Sequence, residues 1–508
     1  MEFKFPSSLL FFSLFLPLII LLILVKKKHN KRLPPGPTKL PIIGNLHNVF
    51  FAGGDHLPRM FGELAKKHGK FMHLKFGQIS QVVVSSSDLA QEFLKTHDTN
   101  FASRRDNFTT RLILYNNRDI VFAPYGEYWR QMRKIVTIEL LNAKKVKSFN
   151  RIRRDEVGKM IDVLRKAATN GTPVNLNQIF LILNNNITTR SMFGDSLRHQ
   201  AAFLDALKEA FDIGSNFDIS NFFPFLEEFT ARLTGVKKRI EKTHKTMDNI
   251  LNTIIDEYLD RPNNNMADGE EDLLDTLLRL QKQNQFGFEF SMNDLKAVFL
   301  DLFIGGTETV STTIEWAMSE LVKNPTTLKK VTSEVRQVCT IFGTKTDDYD
   351  NSFSNEMSYM QSVIKETFRL HPPFPLLVPH VCREKCEIRG YDIEEKTNIS
   401  VNVWAIGRDP NKWEDPEIFK PERFIENPID FKGSHFDLIP FGSGRRKCPG
   451  ITFGLANVEL SLATLLYHFD WKIPNDIPGK DLDMTEEFRE TLGRKHPLIL
   501  VPVLPTTT

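Results

Sequence analysis

The chain has 508 residues, with 66 lysines and arginines against 63 aspartates and glutamates, a formal net charge of +3. That balance excludes the overall basic charge by which nucleic-acid-binding proteins attract phosphates, so we expect no nucleic-acid partner. Only four cysteines occur, which argues against a disulfide framework and indicates a reducing compartment. Cys382 and Cys386 are close enough in sequence to share a metal ion, but no further ligand pair stands nearby, and we interpret them as ordinary thiols.

Residues 1–32 are predicted to form a membrane anchor. Residues 9–25 are apolar apart from Ser13 and Pro17, and a lysine-rich cluster at 26–32 follows them. The apolar length is at the short end for a membrane-spanning helix. A cleaved signal peptide is the alternative, but its basic residues precede the apolar run, whereas here they follow it. Positive charge on this side favours a cytoplasmic position for everything downstream.

The remaining chain is predicted to be one body joined to the anchor by a hinge. Residues 33–40 contain three prolines, which stiffen the chain and favour an extended hinge before a catalytic body at 41–508. Residues 70–85 alternate apolar and polar side chains around Gly77, a pattern typical of a β-hairpin. Residues 261–271 are predicted to be a polar loop. Apolar residues at helical spacing predict helices at 129–141, 146–168, 203–213, 233–259 and 273–283.

One predicted helix is marked at both ends. Ser291 and Asp294 form a capping-box-like start, and the helical apolar pattern continues to residue 321, just before Pro325. This makes about thirty residues, far above the mean helix length. Gly305 and Gly306 lie in its middle, where each costs about 1 kcal/mol relative to alanine. Close approach to a flat ligand would explain glycine there, and so would close packing against another helix.

A glycine-rich segment at 441–450 carries the most informative cysteine. Cys448 stands just before a helical apolar pattern at 453–469, and the free amides at a helix start favour a thiolate. Three basic residues at 445–447 suit an anionic cofactor group or an acidic partner. The alternative is an inert core cysteine. A thiolate, rather than a thiol, is the form that ligates iron.

With these residues the chain resembles the cytochromes P450, specifically the microsomal monooxygenases of plants. The family's haem-binding pattern, Phe-x-x-Gly-x-Arg-x-Cys-x-Gly, is matched by Phe441, Gly444, Arg446, Cys448 and Gly450. The resemblance implies a mainly α, cytochrome P450-like fold with small β-sheets and a single N-terminal transmembrane helix. The further matches, in the family's order, are the proline-rich hinge, Trp129 with Arg133, Glu366 with Arg369, and Pro421–Phe424.

The resemblance also implies roles for single residues. Cys448 would be the axial ligand of the iron of a haem b, and Glu308 with Thr309 would deliver protons to bound oxygen. His380 stands where relatives often carry arginine, and a neutral imidazole donates only one hydrogen bond. A structural ion network would comprise Glu366, Arg369 and Arg423. The implied cofactor-binding residues are Cys448, Arg446, Trp129, Arg133, His380, Phe441, Gly442, Gly450 and Gly305.

The substrate expected from the resemblance is a small hydrophobic molecule oxidised with O2. We expect hydroxylation or oxidation of a sesquiterpene or diterpene, with an alkaloid or phenolic substrate as the alternative. Core packing is the alternative for every residue of the implied pocket. That pocket would be lined by Phe303, Ile304, Leu376, Leu377, Val378 and Leu492.

Electrons for such a reaction must come from another protein, because no flavin or nicotinamide fingerprint occurs in the chain. The resemblance implies NADPH-cytochrome P450 reductase as the partner, in the endoplasmic reticulum membrane, with the catalytic domain facing the cytoplasm. Two other functions are a haem-thiolate isomerase or dehydratase that works without O2, and a non-catalytic haem-binding sensor. The proposed docking face comprises Arg130, Arg133, Lys134, Arg445 and Lys447.

Overall fold

A computed structural model describes residues 32–51, 57–194, 200–215, 221–260, 271–283, 286–341, 356–488 and 491–505. The predicted anchor therefore lies outside the described residues except for Arg32, and so does the polar loop at 261–270. Within the described ranges, no helix is both long enough and apolar enough to cross a membrane.

Helices make up most of the described chain, as expected for a mainly α fold. The longest is Met292–Lys323, here called the central helix, and Ile451–His468, here called the C-terminal helix, follows the cysteine-bearing loop. The other α-helices are Leu46–Phe51, Leu57–His68, Ser87–Gln91, Asp98–Phe101, Phe108–Ile113, Glu127–Ile135, Ala143–Ser148, Asn150–Asn170, Leu176–Phe193, Gln200–Ser215, Glu227–Leu233, Val236–Leu259, Leu273–Lys282, Pro325–Ile341, Ser358–Leu370 and Val403–Ile406.

Small β-sheets complete the fold. The strands are β1 Phe71–Phe76, β2 Ile79–Val84, β3 Val174–Asn175, β4 His380–Val381, β5 Cys386–Ile388, β6 Tyr391–Ile393, β7 Asn398–Val401, β8 Asp470–Lys472, β9 Glu486–Phe488, β10 Leu492–Arg494 and β11 Ile499–Val503. The largest sheet has the order β1-β2-β7-β4, and smaller sheets pair β5 with β6, β9 with β10, and β11 with both β3 and β8. β1 and β2 form the predicted hairpin, with Phe71 opposite Val84.

Two predicted helices are interrupted in the structure. The one expected at 129–141 is Glu127–Ile135 followed by a π-helical turn, and the one expected at 146–168 is divided between Ala143–Ser148 and Asn150–Asn170. Phe149 separates the latter two with φ −82° and ψ 6°, and its ring is buried edge-on against Phe453 of the C-terminal helix. Tertiary packing therefore overrides the continuous apolar pattern there.

The proline-rich segment is held against the body by backbone hydrogen bonds. The amide of Asp392 donates to the carbonyl of Arg32 at 2.7 Å, and the amide of His73 donates to Pro35 at 2.9 Å. A Cβ atom at Gly36 would lie 2.2 Å from the carbonyl oxygen of His73, so only glycine fits that approach. The segment thus enters the body at a fixed place.

The central helix is enclosed by its neighbours on most sides. Its predicted start is confirmed, because Ser291 and Asp294 form a complete capping box. A Cβ atom at Gly306 would lie 3.0 Å from Thr188 Oγ1 and 3.5 Å from a ring carbon of Phe453. Close packing against helices Leu176–Phe193 and Ile451–His468 therefore explains one of the two glycines.

A buried ion network joins helix Ser358–Leu370 to the loop before the cysteine. Glu366 and Arg369 form a two-bond pair, with Nε to Oε2 at 2.7 Å and Nη2 to Oε1 at 2.8 Å. Arg423 Nε donates to the same Glu366 Oε1 at 3.0 Å, as does the amide of Lys420 at 2.8 Å. Glu366 is fully buried, so its charge is compensated only through these contacts.

We expect Glu366→Gln to lower the free energy of unfolding by about 3 to 5 kcal/mol, because it leaves buried guanidinium groups without their counter-charge. The midpoint of thermal unfolding measures this. Glu414→Gln is the matched control, since the Glu414 carboxylate is 80% exposed and pairs with Lys420 at 3.4 Å. Its effect should stay within about 0.5 kcal/mol. Equal shifts in the two variants would show that the network does not stabilise the fold.

Candidate active site

The loop that carries Cys448 is shaped by glycines with left-handed backbone. Gly442 has φ +68° and Gly444 has φ +70°. A Cβ atom at Gly444 would lie 2.2 Å from the carbonyl oxygen of Leu94, so a larger residue would displace the loop. The Cys448 amide donates to the carbonyl of Phe441 at 3.0 Å, and the C-terminal helix begins at Ile451. Cys448 therefore precedes a helix start, as predicted.

The surroundings of the Cys448 sulfur shift the pKa of its thiol in opposite directions. Burial raises the pKa of the Cys448 thiol, while the Gly450 amide, Arg133 and Lys447 favour the thiolate and lower that pKa. The residue keeps part of its surface exposed. Because burial disfavours a free thiolate, a metal cation bound to the sulfur would complete the charge balance at this position.

Arginines with buried guanidinium groups cluster beside this loop. Burial lowers the pKa of Arg446 to about 8 and the pKa of Arg104 to about 9, and Asp119 is the carboxylate that opposes both shifts. Burial also lowers the pKa of Arg133. Two of these guanidinium groups thus interact with Asp119, and Arg133 lies close enough to Arg446 to lower its pKa further. This excess of buried positive charge fits the two carboxylates of a haem, and Cys448 fits its iron.

These side chains also bind the backbone of residues 102–123. Arg446 donates to the carbonyls of Ala102, at 2.6 Å, and Ala123, and its guanidinium lies 4.1 Å from the centre of the Trp129 ring. Trp129 Nε1 donates to Ile120 at 2.9 Å, while Arg133 donates to the carbonyl of Lys447. The structure therefore brings the three predicted cofactor residues Trp129, Arg133 and Arg446 into one cluster.

His380 uses one ring nitrogen for a backbone contact. It is buried, and its Nδ1 lies 2.8 Å from the carbonyl oxygen of Phe101. Burial, and then Arg104, lower the pKa of His380 well below its usual value, so the imidazole is neutral at neutral pH. Its one N–H is then donated to Phe101, which leaves Nε2 as an acceptor. An anionic group would consequently be met here by Arg104, a residue that the sequence did not single out.

The middle of the central helix has an open side. Gly305 is exposed although Gly306 and Thr307 after it are buried, and a Cβ atom there would meet nothing within 4 Å among the described residues. Thr309 lies one turn later on the same face, and its hydroxyl donates to the Gly305 carbonyl at 2.7 Å. Packing among the described residues therefore explains Gly306 but not Gly305, for which close approach to a ligand stays the prediction.

Glu308 is held by a residue from the C-terminal part of the chain. Its Oε1 accepts a hydrogen bond from Thr491 Oγ1 at 3.3 Å, and Thr491 Oγ1 lies 3.3 Å from Thr312 Oγ1. Thr491 stands next to Leu492, which was predicted to line the substrate pocket. The contact joins residues 183 positions apart in the sequence. No local pattern could have predicted it.

The predicted pocket residues are mostly packed against other side chains. Phe303 is 2% exposed and lies edge-on to Phe203 at 5.0 Å, and Leu492 is 3% exposed. Ile304 is only partly buried, next to the open side of the central helix. Leu376 is buried in a core cluster. The Leu377 side chain lies 3.7 Å from the place where a Cβ of Gly442 would be. The backbone carbonyl of Val378 accepts a hydrogen bond from Arg104 at 2.7 Å.

Two buried carboxyl groups join the 102–123 segment to the central helix. Asp301 Oδ2 accepts from the amides of Ile120, at 2.6 Å, and Val121, at 3.1 Å, and its carboxyl group interacts with that of Asp119. Burial raises the pKa of Asp119 to about 6, and burial together with Asp119 raises the pKa of Asp301 well above its usual value. We therefore expect the pair to retain a proton to higher pH than two separate carboxyl groups would.

Comparisons with known proteins agree with this site. A family model described as cytochrome P450 matches residues 34–501. The chain is 46% identical to desmethyl-deoxy-podophyllotoxin synthase of Sinopodophyllum hexandrum, covering 96% of this chain and 95% of that protein. It is also 46% identical to premnaspirodiene oxygenase of Hyoscyamus muticus, with 96% and 97% covered. For 5-epiaristolochene 1,3-dihydroxylase of Nicotiana tabacum the identity is 47%, with 96% and 97% covered.

Among solved structures, a zebra fish cytochrome P450 with progesterone superimposes with a TM-score of 0.74. The match covers 88% of this chain and 99% of that one, at 22% sequence identity. At that identity the likeness concerns the fold, which agrees with the mainly helical architecture described above.

We expect the carboxyl pair to make stability fall as pH rises. Both folded pKa values lie above the unfolded value of about 3.9, so the pair stabilises the fold most below that pH and loses this contribution as pH rises through the folded values. Asp301→Asn supplies an amide that donates without titrating. Its thermal midpoint should therefore fall less between pH 5 and pH 8 than that of the wild type.

Asp162→Asn, at a side chain 72% exposed, is the matched control and should keep the wild-type slope. If Asp301→Asn also kept that slope, the retained proton would be excluded.

Proposed function

This chain belongs to the cytochrome P450 family, and on that premise we propose that it is a haem-thiolate monooxygenase that oxidises a sesquiterpene or diterpene. The observation that carries the proposal is the common placement of Cys448, the buried arginine cluster and the open face of the central helix. Phe453, five residues after Cys448, contacts the position of Gly306, so the cysteine loop and the glycine pair belong to one region. A haem bound there would supply activation of O2.

The residues of this chain hold and orient the cofactor. Cys448 provides the sulfur ligand, and Arg446, Arg133 and Arg104 provide positive charge for the two carboxylates. The Phe441 ring is fixed edge-on against Phe368 at 5.0 Å, which supports the loop that would bind the haem. Gly442 and Gly450 allow the loop to pass close to it.

Proton supply is assigned to Glu308 and Thr309. Breaking the bond between two oxygen atoms needs protons, which a carboxyl group and a hydroxyl group can pass from solvent. Thr309 shares a helix face with Gly305 and therefore borders the open space. Retention of this pair favours O2 chemistry over isomerisation or dehydration.

The substrate class rests on the relatives and on the apolar lining. Premnaspirodiene and 5-epiaristolochene, named in two of the relatives, are terpene hydrocarbons. Ile304, next to Gly305, and Leu377, beside the cysteine loop, offer partly buried apolar surface. A second candidate is an aromatic plant product of the phenolic class. It is favoured by the equal identity to a protein named for a podophyllotoxin.

Electrons are proposed to arrive from NADPH-cytochrome P450 reductase at the basic face. The side chains of Arg130 and Arg445 are 52% and 49% exposed. Lys134, four residues after Arg130 in the same helix, is also exposed. Arg133 and Lys447 are partly buried, so the accessible part of the predicted face is smaller than expected. An acidic partner surface would be attracted to it.

We propose that the protein is held on the endoplasmic reticulum membrane by residues 1–32 and that an apolar patch also touches the bilayer. The patch comprises Ile42, Phe225, Phe229 and Leu233, which are 66%, 85%, 65% and 75% exposed. Their two segments flank the β1-β2 turn, because Gly77 donates to Ile43 and Gln78 donates to Phe222. Large exposed apolar side chains beside a predicted anchor suit the membrane interface.

We expect Phe229→Trp, in the full chain reconstituted in bilayers, to show emission that brominated lipids quench. The five native tryptophans are buried, so a new interfacial tryptophan is distinguishable. Ile182→Trp is the control, since Ile182 is 53% exposed on helix Leu176–Phe193, and its emission should not be quenched. Equal quenching at both positions would exclude a specific role for the patch.

The function is tested by expression in microsomes with the reductase and NADPH. We expect oxygenated products from sesquiterpene or diterpene hydrocarbons and the thiolate absorption band of the reduced, carbon monoxide-bound protein. Cys448→Ser should lose that band and the products together, because serine offers no thiolate. Products from podophyllotoxin-type compounds alone would favour the second candidate. Turnover without NADPH would instead establish an isomerase or dehydratase.

A further inference from the structure

Thr491 stands in a turn that is fixed to the central helix. It lies directly before β10, and the amide of Leu492 donates to the Pro373 carbonyl at 2.9 Å. The Leu492 carbonyl accepts from Trp316 Nε1 of the central helix at 2.7 Å. Thr491 itself is 3% exposed. The position of its hydroxyl relative to the central helix is therefore set by backbone bonds on its C-terminal side.

The hydroxyl lies within a short chain of three side chains. Thr491 Oγ1 donates to Glu308 Oε1 at 3.3 Å, and Thr312 Oγ1, on a residue 5% exposed, is 3.3 Å from Thr491 Oγ1. Since the Thr491 hydrogen is used on the carboxylate, Thr312 must be the donor to Thr491 in this state. Both contacts are at the long end of hydrogen-bond distances and leave the carboxyl group some freedom.

Such a chain can serve the carboxyl group in both of its protonation states. A hydroxyl group donates one hydrogen bond and also accepts, whereas an amide N–H or an ammonium group can only donate. When Glu308 is protonated, it can donate to Thr491, which then donates to Thr312. The three side chains make the same number of hydrogen bonds whether Glu308 is ionised or protonated. The carboxyl group can therefore keep its position while it loses and regains a proton.

We propose that Thr491 is a positioning residue that holds the Glu308 carboxyl group through its protonation cycle, an inference that rests on the proposed role of Glu308 in proton supply. Thr491 does not exchange protons with the substrate or with oxygen in this scheme. It fixes where the acid stands relative to Thr309, and Thr312 supports it from the next turn of the central helix.

The test measures coupling, the amount of oxygenated product formed per NADPH consumed, in the full-length protein with reductase. Thr491→Val keeps the side-chain volume and removes the hydroxyl. We expect coupling and kcat to fall about tenfold, since a positioned acid contributes about 10²-fold or more. KM, the substrate-induced spectral change and the thiolate band should be unchanged. Thr491→Ser should restore coupling because it restores the hydroxyl.

Matched variants separate positioning from packing. Thr464→Val makes the same change at a fully buried threonine of the C-terminal helix and should keep wild-type coupling. Glu308→Gln should lower coupling at least as much as Thr491→Val. Adding Thr491→Val to Glu308→Gln should lower it no further, because both changes disable one unit.

Each result decides a separate point. Wild-type coupling in Thr491→Val, together with loss in Glu308→Gln, would overturn the positioning role and leave the proposed function standing. Wild-type coupling in Glu308→Gln would remove the role of the acid itself. Failure of Thr491→Ser to restore coupling would show that the threonine acts by its shape alone, and would also overturn the proposal.

Discussion

The burial of Arg446 is the constraint around which the candidate active site is arranged. Its guanidinium donates to backbone carbonyls of residues 102–123 and lies over the Trp129 ring, although burial strongly disfavours its charge. Asp301 binds the same backbone segment from the central helix, and Arg104 binds it from within. One irregular segment thus connects the cysteine loop to the helix that borders the open space. The carboxylates of a haem would offset the positive charge of the arginines that connect these three parts.

Features specified by neighbouring residues were predictable from the sequence, and features made by distant residues were not. The capping box at Ser291, the hairpin around Gly77 and the position of Cys448 before a helix all depend on residues a few positions apart. Arg104 and the Asp119–Asp301 pair carry no such signal. The partners of Asp301 lie about 180 residues earlier, and their contact exists only once the fold has formed.

Local patterns also left the orientation of side chains undetermined. An apolar run such as 302–304 covers several faces of a helix, and only packing shows that Phe303 enters the core while Ile304 is only partly buried. His380 illustrates the same limit for a polar residue. Its place in the family pattern does not show which ring nitrogen is used, and the fold directs Nδ1 at the Phe101 carbonyl. The helix division at Phe149 likewise follows from a ring contact with Phe453.

At Gly305, an alanine would stabilise the central helix but would occupy space in the proposed pocket. A Cβ at this position would meet no atom of the described residues within 4 Å, and an alanine would stabilise the helix by about 0.5 to 1 kcal/mol. The sequence nevertheless has glycine there, one turn before Thr309. At Gly306 a larger residue would be too close to its neighbours, because Thr188 Oγ1 lies 3.0 Å from the place where a Cβ would be. Of these two adjacent glycines, packing fixes only Gly306, so the proposed pocket could change in size at Gly305 without disturbing the fold.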